Sequence, residues 1–252
     1  MQKLFWIVGA SSGIGRALAL KLAQQGHRIA ASARNAEKLE ALVADAPEGR
    51  ISAYPLDVSD EPAIGATLEK IEDDMGPLDG MVYLAGFWKL AALDQLDTKL
   101  FREHFEINLF ASITTALAVF TRMASRGRGQ IALVSSVAGF RGIPGAAPYG
   151  ASKAAETHFA EAIYPEAKDA GVKVQVIHPG FVDTPMTRSN PFSMPFIISA
   201  DEAAERIAEG LKKDRFEITF PKRMAFVMYR LRGMPYHLYF KVMRKPVRAD
   251  DA

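Results

Sequence analysis

Short apolar runs alternate with longer helical patterns along most of this 252-residue chain, and this alternation limits its fold more than any other feature. The runs have the length of buried strands and occupy residues 4–8, 27–32, 80–84, 129–134 and 172–177. The helical patterns occupy residues 15–25, 35–44, 62–75, 99–125, 149–170 and 200–213. Strands separated by amphipathic helices predict βαβ units and a parallel sheet with helices on both faces.

We therefore predict an α/β fold with a doubly wound parallel sheet of six to seven strands in three α/β/α layers, of Rossmann type. Because 49% of the residues are hydrophobic, the chain can enclose one large core, and residues 1–252 are expected to form a single domain. Residues 222–252 lie beyond the alternating pattern and are expected to add a helical extension. Helices are expected to end at Gly26, Gly76, Gly127 and Gly171.

A glycine-rich turn follows the first apolar run directly and opens the first helical pattern. It reads Gly9-Ala-Ser-Ser-Gly13-Ile-Gly15. Glycines let backbone N–H groups approach a pyrophosphate, and a helix N-terminus contributes about half a positive charge toward it. The turn therefore predicts dinucleotide binding by Gly9, Ser11, Ser12, Gly13, Ile14 and Gly15. A tight strand-to-helix turn without a ligand is the alternative.

Two residues further along the chain bear on which dinucleotide binds, one with a ribose 2′-hydroxyl or one with a 2′-phosphate. The second strand pattern leads into Arg34, where an acid would accept hydrogen bonds from a ribose 2′-hydroxyl and an arginine instead offers a planar fork to a 2′-phosphate. Arg34 therefore favours NADP(H), although it could also be solvated while Asn35 caps the next helix. Asp57, in the segment Pro55-Leu56-Asp57-Val58, is predicted to contact an adenine amine or to cap its own turn.

Tyr149 and Lys153 are spaced Y-x-x-x-K, and Ser136 lies thirteen positions upstream of the tyrosine. Residues four apart on a helix share a face, so a phenol and an ammonium at this spacing can share one pocket. A phenol beside an ammonium gives up its proton more readily than an isolated one. The three residues together predict a proton donor and a hydrogen-bond donor for a carbonyl that receives a hydride. Taken singly, each could be a surface or turn residue.

The order of these motifs resembles that of the short-chain dehydrogenase/reductase family over roughly residues 2 to 221. The family's T-G-x-x-x-G-x-G appears as Val8-Gly9-Ala-Ser-Ser-Gly13-Ile-Gly15, with the threonine replaced and every glycine kept. The resemblance implies a catalytic tetrad of Asn108, Ser136, Tyr149 and Lys153. In that family the lysine also holds the nicotinamide ribose, and the asparagine holds a water in a proton relay. Ser135 is a rival for the serine role, but strand alternation and the family spacing select Ser136.

The resemblance also implies the remaining cofactor contacts. These are Val58, Ala85, Gly86, Asn108, Tyr149, Lys153, Pro179, Gly180, Val182 and Thr184. One motif departs from the family, since the usual N-N-A-G reads Tyr83-Leu84-Ala85-Gly86 here. That change removes asparagines that normally brace the central sheet. The implied activity is NADPH-dependent reduction of a ketone or aldehyde, against the alternative of a silent nucleotide-binding sensor or membrane-associated interaction protein.

The substrate side is predicted to be apolar. Residues 186–198 supply phenylalanine, methionine and isoleucine after the P-G turn, and residues 139–147 add little polarity. We expect a lipophilic or aromatic carbonyl substrate, although these side chains could instead pack on another subunit. His158 and His178 lack ligand-like partners and are expected to be core or surface histidines, so no metal site is predicted.

The segment 222–248 combines basic and apolar residues without a single acid. Its members are Lys222, Arg223, Phe226, Tyr229, Arg230, Leu231, Arg232, Tyr236, Leu238, Tyr239, Phe240, Lys241, Val242, Arg244, Lys245 and Arg248. Two interpretations stay open: peripheral contact with a membrane, or a flap over the substrate pocket or a partner subunit. Pro235 is expected to divide the segment into two short helices.

Charge and targeting patterns restrict the remaining functions. The formal net charge of +2 is too small to suggest a nucleic-acid binder, and the absence of cysteine excludes disulfides and thiolate catalysis. The N-terminus runs straight into the first apolar run, and no apolar run reaches the roughly 20 residues that span a bilayer. We expect a cytoplasmic protein, with the membrane question confined to residues 222–248. The family resemblance implies a homodimer or homotetramer formed through residues 99–125 and 149–170.

Overall fold

The computed structural model describes residues 2–243 and is built on a parallel sheet of seven strands. In chain order the strands are β1 (Leu4–Val8), β2 (Arg28–Ser32), β3 (Ile51–Ala53), β4 (Gly80–Tyr83), β5 (Gly129–Val134), β6 (Val172–Pro179), β7 (Val182–Asp183), β8 (Ile198–Ser199) and β9 (Glu217–Phe220). The large sheet has the order β3-β2-β1-β4-β5-β6-β9, and β7 and β8 form a separate parallel pair. The predicted α/β class and strand number are confirmed.

Helices cover both faces of this sheet. They are α1 (Gly13–Gln24), α2 (Ala36–Ala44), α3 (Glu61–Met75), α4 (Thr98–Phe105), α5 (Ala111–Ser125), α6 (Ala147–Asp169), α7 (Ala200–Leu211), α8 (Lys222–Arg232) and α9 (Tyr236–Val242). Strand β1 shows how the layers arise, because its side chains alternate between the two faces. Phe5 and Ile7 pack in the cluster that contains α1, α2 and α7, whereas Trp6 and Val8 pack in the cluster that contains α3, α5 and α6.

The strand order reverses direction at β1, which pairs with β2 on one side and with β4 on the other. The connections on the two sides of this point leave the sheet in opposite directions, so a crevice opens at the carboxyl ends of β1 and β4. The glycine turn leaves β1 at this crevice, and the segment that departs from the family motif leaves β4 beside it. The topology therefore brings the predicted site residues to one edge of the sheet.

The helix predicted over residues 99–125 is not one regular helix. Asp97 caps α4, and a π-helical turn at Glu106–Phe110 joins α4 to α5. A π-turn inserts an extra residue into the helical repeat, which hydrophobic periodicity does not reveal. The four glycines expected to end helices, Gly26, Gly76, Gly127 and Gly171, all have positive φ values.

By length and composition alone, the helical stretch Thr98–Ser125 is long and apolar enough to cross a membrane, and 44% of its most apolar window is buried in the protein. The prediction that no apolar run is long enough to span a bilayer therefore does not hold for this stretch when helix length and mean hydropathy are the only criteria. The buried side chains of α5 include Ala116, Val119 and Met123, which pack in the core against the sheet. This packing is that of the core helix of a globular domain.

The C-terminal extension contains two helices, α8 and α9, separated at Pro235 as predicted. The inner face of α8 buries Met224 and Met228 in a small cluster with Val137. Three of the predicted basic residues, Arg244, Lys245 and Arg248, lie outside the described residues.

Candidate active site

A cleft of about 430 Å³ lies at the carboxyl edge of the sheet. It collects every predicted cofactor and catalytic residue except Asn108. Those lining it are Gly9, Ser11, Ser12, Gly13, Ile14, Gly15, Arg34, Asp57, Val58, Ala85, Gly86, Ser136, Tyr149, Lys153, Pro179, Gly180, Val182 and Thr184. Residues from most of the length of the chain thus converge because parallel strands end on the same side of the sheet.

The glycine turn forms a cradle that side chains would fill. Gly9 has a φ of 96°, and a Cβ there would lie 2.5 Å from the backbone nitrogen of Ala85. A Cβ on Gly15 would lie 2.1 Å from the carbonyl oxygen of Gly9. The N-terminus of α1 starts at Gly13, so unpaired N–H groups face the cleft at this end. This geometry fits the pyrophosphate of a dinucleotide.

One end of the cleft is lined by Arg34, Asn35 and Lys38, where β2 leads into α2. Asn35 caps α2 by accepting from the backbone N–H of Lys38 at 2.8 Å, which is the capping role considered for it. The structure thus adds Lys38 as a second cation beside Arg34. Lys38 was missed by sequence reasoning, because its local pattern is that of a solvated lysine on an exposed helix face.

Asp57 shares that end of the cleft and closes its own turn. Its Oδ1 accepts from the backbone N–H of Ser59 at 3.0 Å and from the Ser59 hydroxyl at 2.8 Å. These hydrogen bonds, from the backbone first and the side chain second, hold the pKa of Asp57 below its usual value. The carboxylate keeps further acceptor capacity for a group in the cleft.

Lys153 is buried beside the end of β5. Its Nζ donates to the carbonyl of Val134 at 2.7 Å and to Glu156 Oε2 at 2.8 Å. An ammonium has three donors, so these two contacts leave one for the cleft that Lys153 lines. These two hydrogen bonds hold the ammonium in place from the side that faces away from the cleft.

Glu156, which sequence reasoning missed, is fully buried one turn after Lys153. Its second oxygen accepts from Ser112 Oγ at 2.7 Å. Burial raises the pKa of the Glu156 carboxyl against the opposing effect of the Lys153 ammonium. No apolar stripe marks this position in the sequence, because the preceding turn carries Ser152 and Lys153, and the burial of Glu156 is seen only in the structure.

Tyr149 stands at the start of α6 and faces Trp88, whose ring lies edge-on at 5.0 Å between ring centroids. Trp88 Nε1 donates to Asn190 Oδ1 at 2.8 Å, which ties the segment after β4 to the loop after β7. A second cleft of about 320 Å³ lies around Trp88. Trp88 therefore links Tyr149 to a second cleft, and it too was missed by sequence reasoning.

The two candidate serines differ in their surroundings. Ser135 is buried, and its hydroxyl donates to the carbonyl of Lys153 at 2.8 Å. Ser136 is half-buried, and its Oγ accepts from the backbone N–H of Ala138 at 3.1 Å. This bond leaves the hydroxyl proton of Ser136 free to donate into the cleft.

Asn108 lies behind the cleft rather than in its lining. Its Oδ1 accepts from the backbone N–H of Phe87 at 2.7 Å, and its Nδ2 donates to the carbonyl of Phe87 at 3.0 Å and to Ser152 Oγ at 3.0 Å. In this arrangement Asn108 braces the segment after β4. Tyr83 adds to this brace because its hydroxyl donates to the carbonyl of Ile107 at 2.7 Å. These contacts supply bracing where the family's asparagines are absent.

The two histidines considered as metal ligands, His158 and His178, occupy different environments. His158 is exposed, whereas His178 is buried, with its Nε2 3.0 Å from Thr157 Oγ1 and its Nδ1 2.7 Å from Glu217 Oε1. His178 therefore has a partner that the sequence did not reveal. Within residues 2–243, no group of three or more metal-ligating side chains is arranged to hold an ion.

The predicted apolar lid is divided between the cleft and the surface. Met186 lines the cleft while remaining 39% exposed, and Phe196 and Ile197 are exposed outside the cleft. Phe192 lies 6.0 Å from Phe181, measured between ring centroids. The position of Met186 thus agrees with the predicted apolar lid. The remaining apolar side chains of residues 186–198 lie outside the lining of the cleft.

The fold and this cleft define a class, the α/β oxidoreductases with a dinucleotide cleft. The chain belongs to the short-chain dehydrogenase family, whose model, described as "short chain dehydrogenase", matches residues 3–193. An uncharacterized oxidoreductase of Myxococcus xanthus is 35% identical over 95% of each chain. The 3-oxoacyl-[acyl-carrier-protein] reductase of Bos taurus is 35% identical over 75% of this chain and 79% of the bovine protein.

A solved structure is similar over most of the chain. It is an alcohol dehydrogenase from the archaeon Thermococcus sibiricus in complex with 5-hydroxy-NADP. The TM-score is 0.79 at 27% identity, covering 87% of this chain and 96% of the archaeal one. The predicted family is thus confirmed by sequence and by structure.

Proposed function

We propose that this protein is an NADPH-dependent reductase that converts an apolar ketone or aldehyde to an alcohol. The observation that carries the proposal is the convergence of Ser136, Tyr149 and Lys153 in one cleft with the glycine cradle. NADPH would supply the hydride when bound. The similarity to a bovine 3-oxoacyl reductase and to an archaeal alcohol dehydrogenase complexed with an NADP derivative supports this reaction type.

The cofactor is assigned from the two ends of the cleft. The backbone N–H groups around Gly13 would hold the pyrophosphate, and Arg34 and Lys38, which line the other end, would hold the 2′-phosphate. Lys153 would offer its third donor to the nicotinamide ribose. Asn108 acts through the backbone of Phe87, which also lines the cleft, so it positions the cleft wall.

The chain's own residues manage the proton and the developing charge. Hydride arrival at a carbonyl carbon places negative charge on its oxygen, which Ser136 and Tyr149 stabilise by donating hydrogen bonds. Tyr149 then gives up its phenolic proton to complete the alcohol. The fixed Lys153 ammonium stabilises the phenolate that remains.

The substrate class follows from the side chains near Tyr149. Trp88 contacts its ring, and Phe87 and Met186 line the cleft. These surfaces are large and apolar, so they favour a lipophilic or aromatic carbonyl compound.

We place the enzyme in the cytoplasm as a homodimer or homotetramer.

The test of the proposal is the Tyr149→Phe variant. It removes only the phenolic oxygen, and we expect the steady-state rate of NADPH oxidation with a panel of apolar ketones to fall by about 10²- to 10⁴-fold. NADPH binding, measured by fluorescence titration, should change little because the aromatic ring remains. Unchanged turnover in the variant would refute the acid assignment. NADPH binding without turnover in the parent would instead identify a sensor.

A further inference from the structure

We propose that the outer face of α8 and α9 docks this enzyme on the surface of an anionic phospholipid bilayer. We call this face, formed by the exposed residues of 222–243, the C-terminal surface. The inference rests on the proposed function, because a bilayer is the medium in which a lipophilic carbonyl compound concentrates.

The C-terminal surface concentrates exposed apolar side chains. Seven of the fourteen exposed large hydrophobic residues described in the structure lie on it: Phe226, Val227, Tyr229, Tyr236, Leu238, Phe240 and Val242. Phe226 and Tyr236 are 65% and 70% exposed. Scattered apolar residues on a protein surface need no explanation, but a concentration of this kind marks an interaction site.

Positive charge surrounds these apolar groups. The exposed basic residues are Lys222, Arg223, Arg230, Arg232 and Lys241, and residues 222–243 contain no acid. On α8, Arg223, Phe226 and Arg230 recur at helical spacing, opposite the buried Met224 and Met228. Arg230 lies over the Phe226 ring, 5.6 Å from its centroid.

This pattern favours a bilayer over an acidic protein. At a membrane interface, aromatic rings enter the boundary of the acyl chains while flanking cations pair with anionic headgroups. An acidic protein would neutralise the cations, but it would also have to bring an apolar surface of its own to cover the exposed rings. The anionic bilayer supplies both chemistries at once.

Hydrogen bonds and a cation–π contact join the C-terminal surface to the catalytic side of the molecule. Arg141, in the loop after Ser136, donates through Nη1 to the carbonyls of Leu231 at 2.8 Å and Arg232 at 3.0 Å. The Arg141 guanidinium also lies 4.1 Å from the ring centroid of Tyr239. The Tyr239 hydroxyl donates to the carbonyl of Gly142. The turn between α8 and α9 is thus anchored on the segment that follows the catalytic serine.

The inner face of α8 lies beside the cleft as well. A Cβ added to Gly180, which lines the cleft, would lie 2.9 Å from Met224 Cγ. Tyr229, which is 40% exposed, lies at the boundary between the two faces, because its hydroxyl donates to Glu217 on β9. Partial burial raises the pKa of Glu217, but the His178 ring nitrogen 2.7 Å from Oε1 and the Tyr229 hydroxyl outweigh it and lower that pKa to about 2. The flap and membrane interpretations therefore apply to opposite faces of the same helices.

The first test is co-sedimentation of the full chain with vesicles. We expect binding to vesicles of phosphatidylcholine mixed with phosphatidylglycerol, and much weaker binding to phosphatidylcholine alone. Raising the salt concentration should weaken the binding, since exposed charges are screened. Equal binding to both vesicle types, or binding to neither, would overturn the proposal. Saturable binding to a soluble acidic protein, with no binding to vesicles, would assign the surface to a protein partner instead.

Matched variants test which residues bind. Arg223→Gln/Arg230→Gln and Phe226→Ser/Phe240→Ser should each weaken binding by about tenfold or more, because each cation and each buried ring contributes. The controls are Lys213→Gln/Arg215→Gln and Val43→Ser/Leu93→Ser, which alter exposed residues outside both the C-terminal surface and the expected subunit interface. Controls that weaken binding as much as the C-terminal variants would rule out a specific surface. Circular dichroism checks that each variant is folded.

A spectroscopic readout places the contact. In Phe226→Trp, the added tryptophan should shift its emission to the blue with anionic vesicles and be quenched by bromine-labelled acyl chains, relative to the parent. Leu93→Trp should show neither effect. If the Phe226→Trp protein bound vesicles while its added indole stayed unquenched, the proposed orientation would be contradicted.

The outcome is separable from that of the proposed function. Turnover of a water-soluble ketone without vesicles should be the same in the Phe226→Ser/Phe240→Ser variant and the parent. Loss of vesicle binding with turnover kept would therefore concern the surface alone. Absence of turnover in a parent that binds vesicles would concern the reaction alone.

Discussion

Arg34 and Lys38 are four positions apart where β2 leads into α2, and both line the cleft. Two cations at this position exceed what a ribose hydroxyl requires, and they suit a 2′-phosphate. Arg34 was predicted from the residue type at the end of the strand. Lys38 was not, because nothing in its local pattern distinguishes it from the solvated lysines of other helices.

The cofactor preference can be tested at these two residues. We expect Arg34→Ala/Lys38→Ala to raise the dissociation constant of NADPH by about tenfold to a hundredfold, since charge-assisted hydrogen bonds contribute about 1.5–3 kcal/mol. NADH, which lacks the phosphate, should lose far less. Fluorescence titration with both nucleotides measures the difference, and Lys70→Ala on α3 is the control. Equal losses for the two nucleotides would show that neither cation reads the phosphate.

Glu156 can be tested as the buried partner of Lys153. In Glu156→Leu the ammonium loses its carboxylate, and breaking a buried pair in this way costs about 3–5 kcal/mol. Glu156→Gln keeps an acceptor of the same shape and should cost less. Urea denaturation measures the loss of unfolding free energy for each variant.

The control for Glu156 is Ser112→Ala, which removes only the second hydrogen bond to the carboxylate. It should cost about 1.5–3 kcal/mol, the range for a hydrogen bond to a charged group. If Glu156→Leu were no more destabilising than Ser112→Ala, the carboxylate would not be balancing the charge of Lys153.

At the scale of elements, replacing glycine by alanine should have opposite effects on stability in the glycine turn and in helix α3. Gly9→Ala introduces a Cβ against the backbone of Ala85 at a positive φ, and we expect it to destabilise the fold by about 1–3 kcal/mol and to abolish NADPH binding. Gly65 lies inside α3 with nothing within 4 Å of its added Cβ. Gly65→Ala should stabilise the protein by about 0.5–1 kcal/mol, because alanine is the better helix former.

Urea unfolding and NADPH titration of both variants provide the check. The two substitutions add the same methyl group, so their difference isolates the demands of the turn. A Gly9→Ala protein that binds NADPH normally would show that the tight approach to Ala85 is dispensable.

The helices show where local patterns are sufficient and where they are not. Residues 15–25, 35–44 and 62–75 were predicted within a few positions of α1, α2 and α3, because each buries one stripe against the sheet. The π-turn at Glu106–Phe110 was missed, and with it the way Asn108 reaches the backbone of Phe87. Its contact crosses from a helix to the segment after β4, which no periodicity encodes.

On the scale of the whole molecule, α5 and the π-turn before it present exposed Leu117 and Phe110 away from the core. The family resemblance implies pairing through residues 99–125 and 149–170, so we expect light scattering to give the mass of a dimer or tetramer. Phe110→Asp/Leu117→Asp should lower that mass, since like charges would be buried across a symmetric interface. Leu93→Asp is the control. A monomeric parent would contradict the proposed assembly.

The sequence alone determined the α/β class, the family and many of the residues that now share the cleft, although not Lys38 or Phe87. This is possible because strands and helices impose short repeats on the pattern of apolar residues. A glycine turn and a Y-x-x-x-K spacing likewise involve residues that are close together in the sequence. Tertiary structure alone decided that Glu156 pairs with Lys153 on one side and Ser112 on another helix, that Trp88 meets Tyr149, and that α8 buries its methionines while exposing Phe226. Those contacts join side chains of distant elements or sort them between core and solvent, so their energies exist only once the chain has packed.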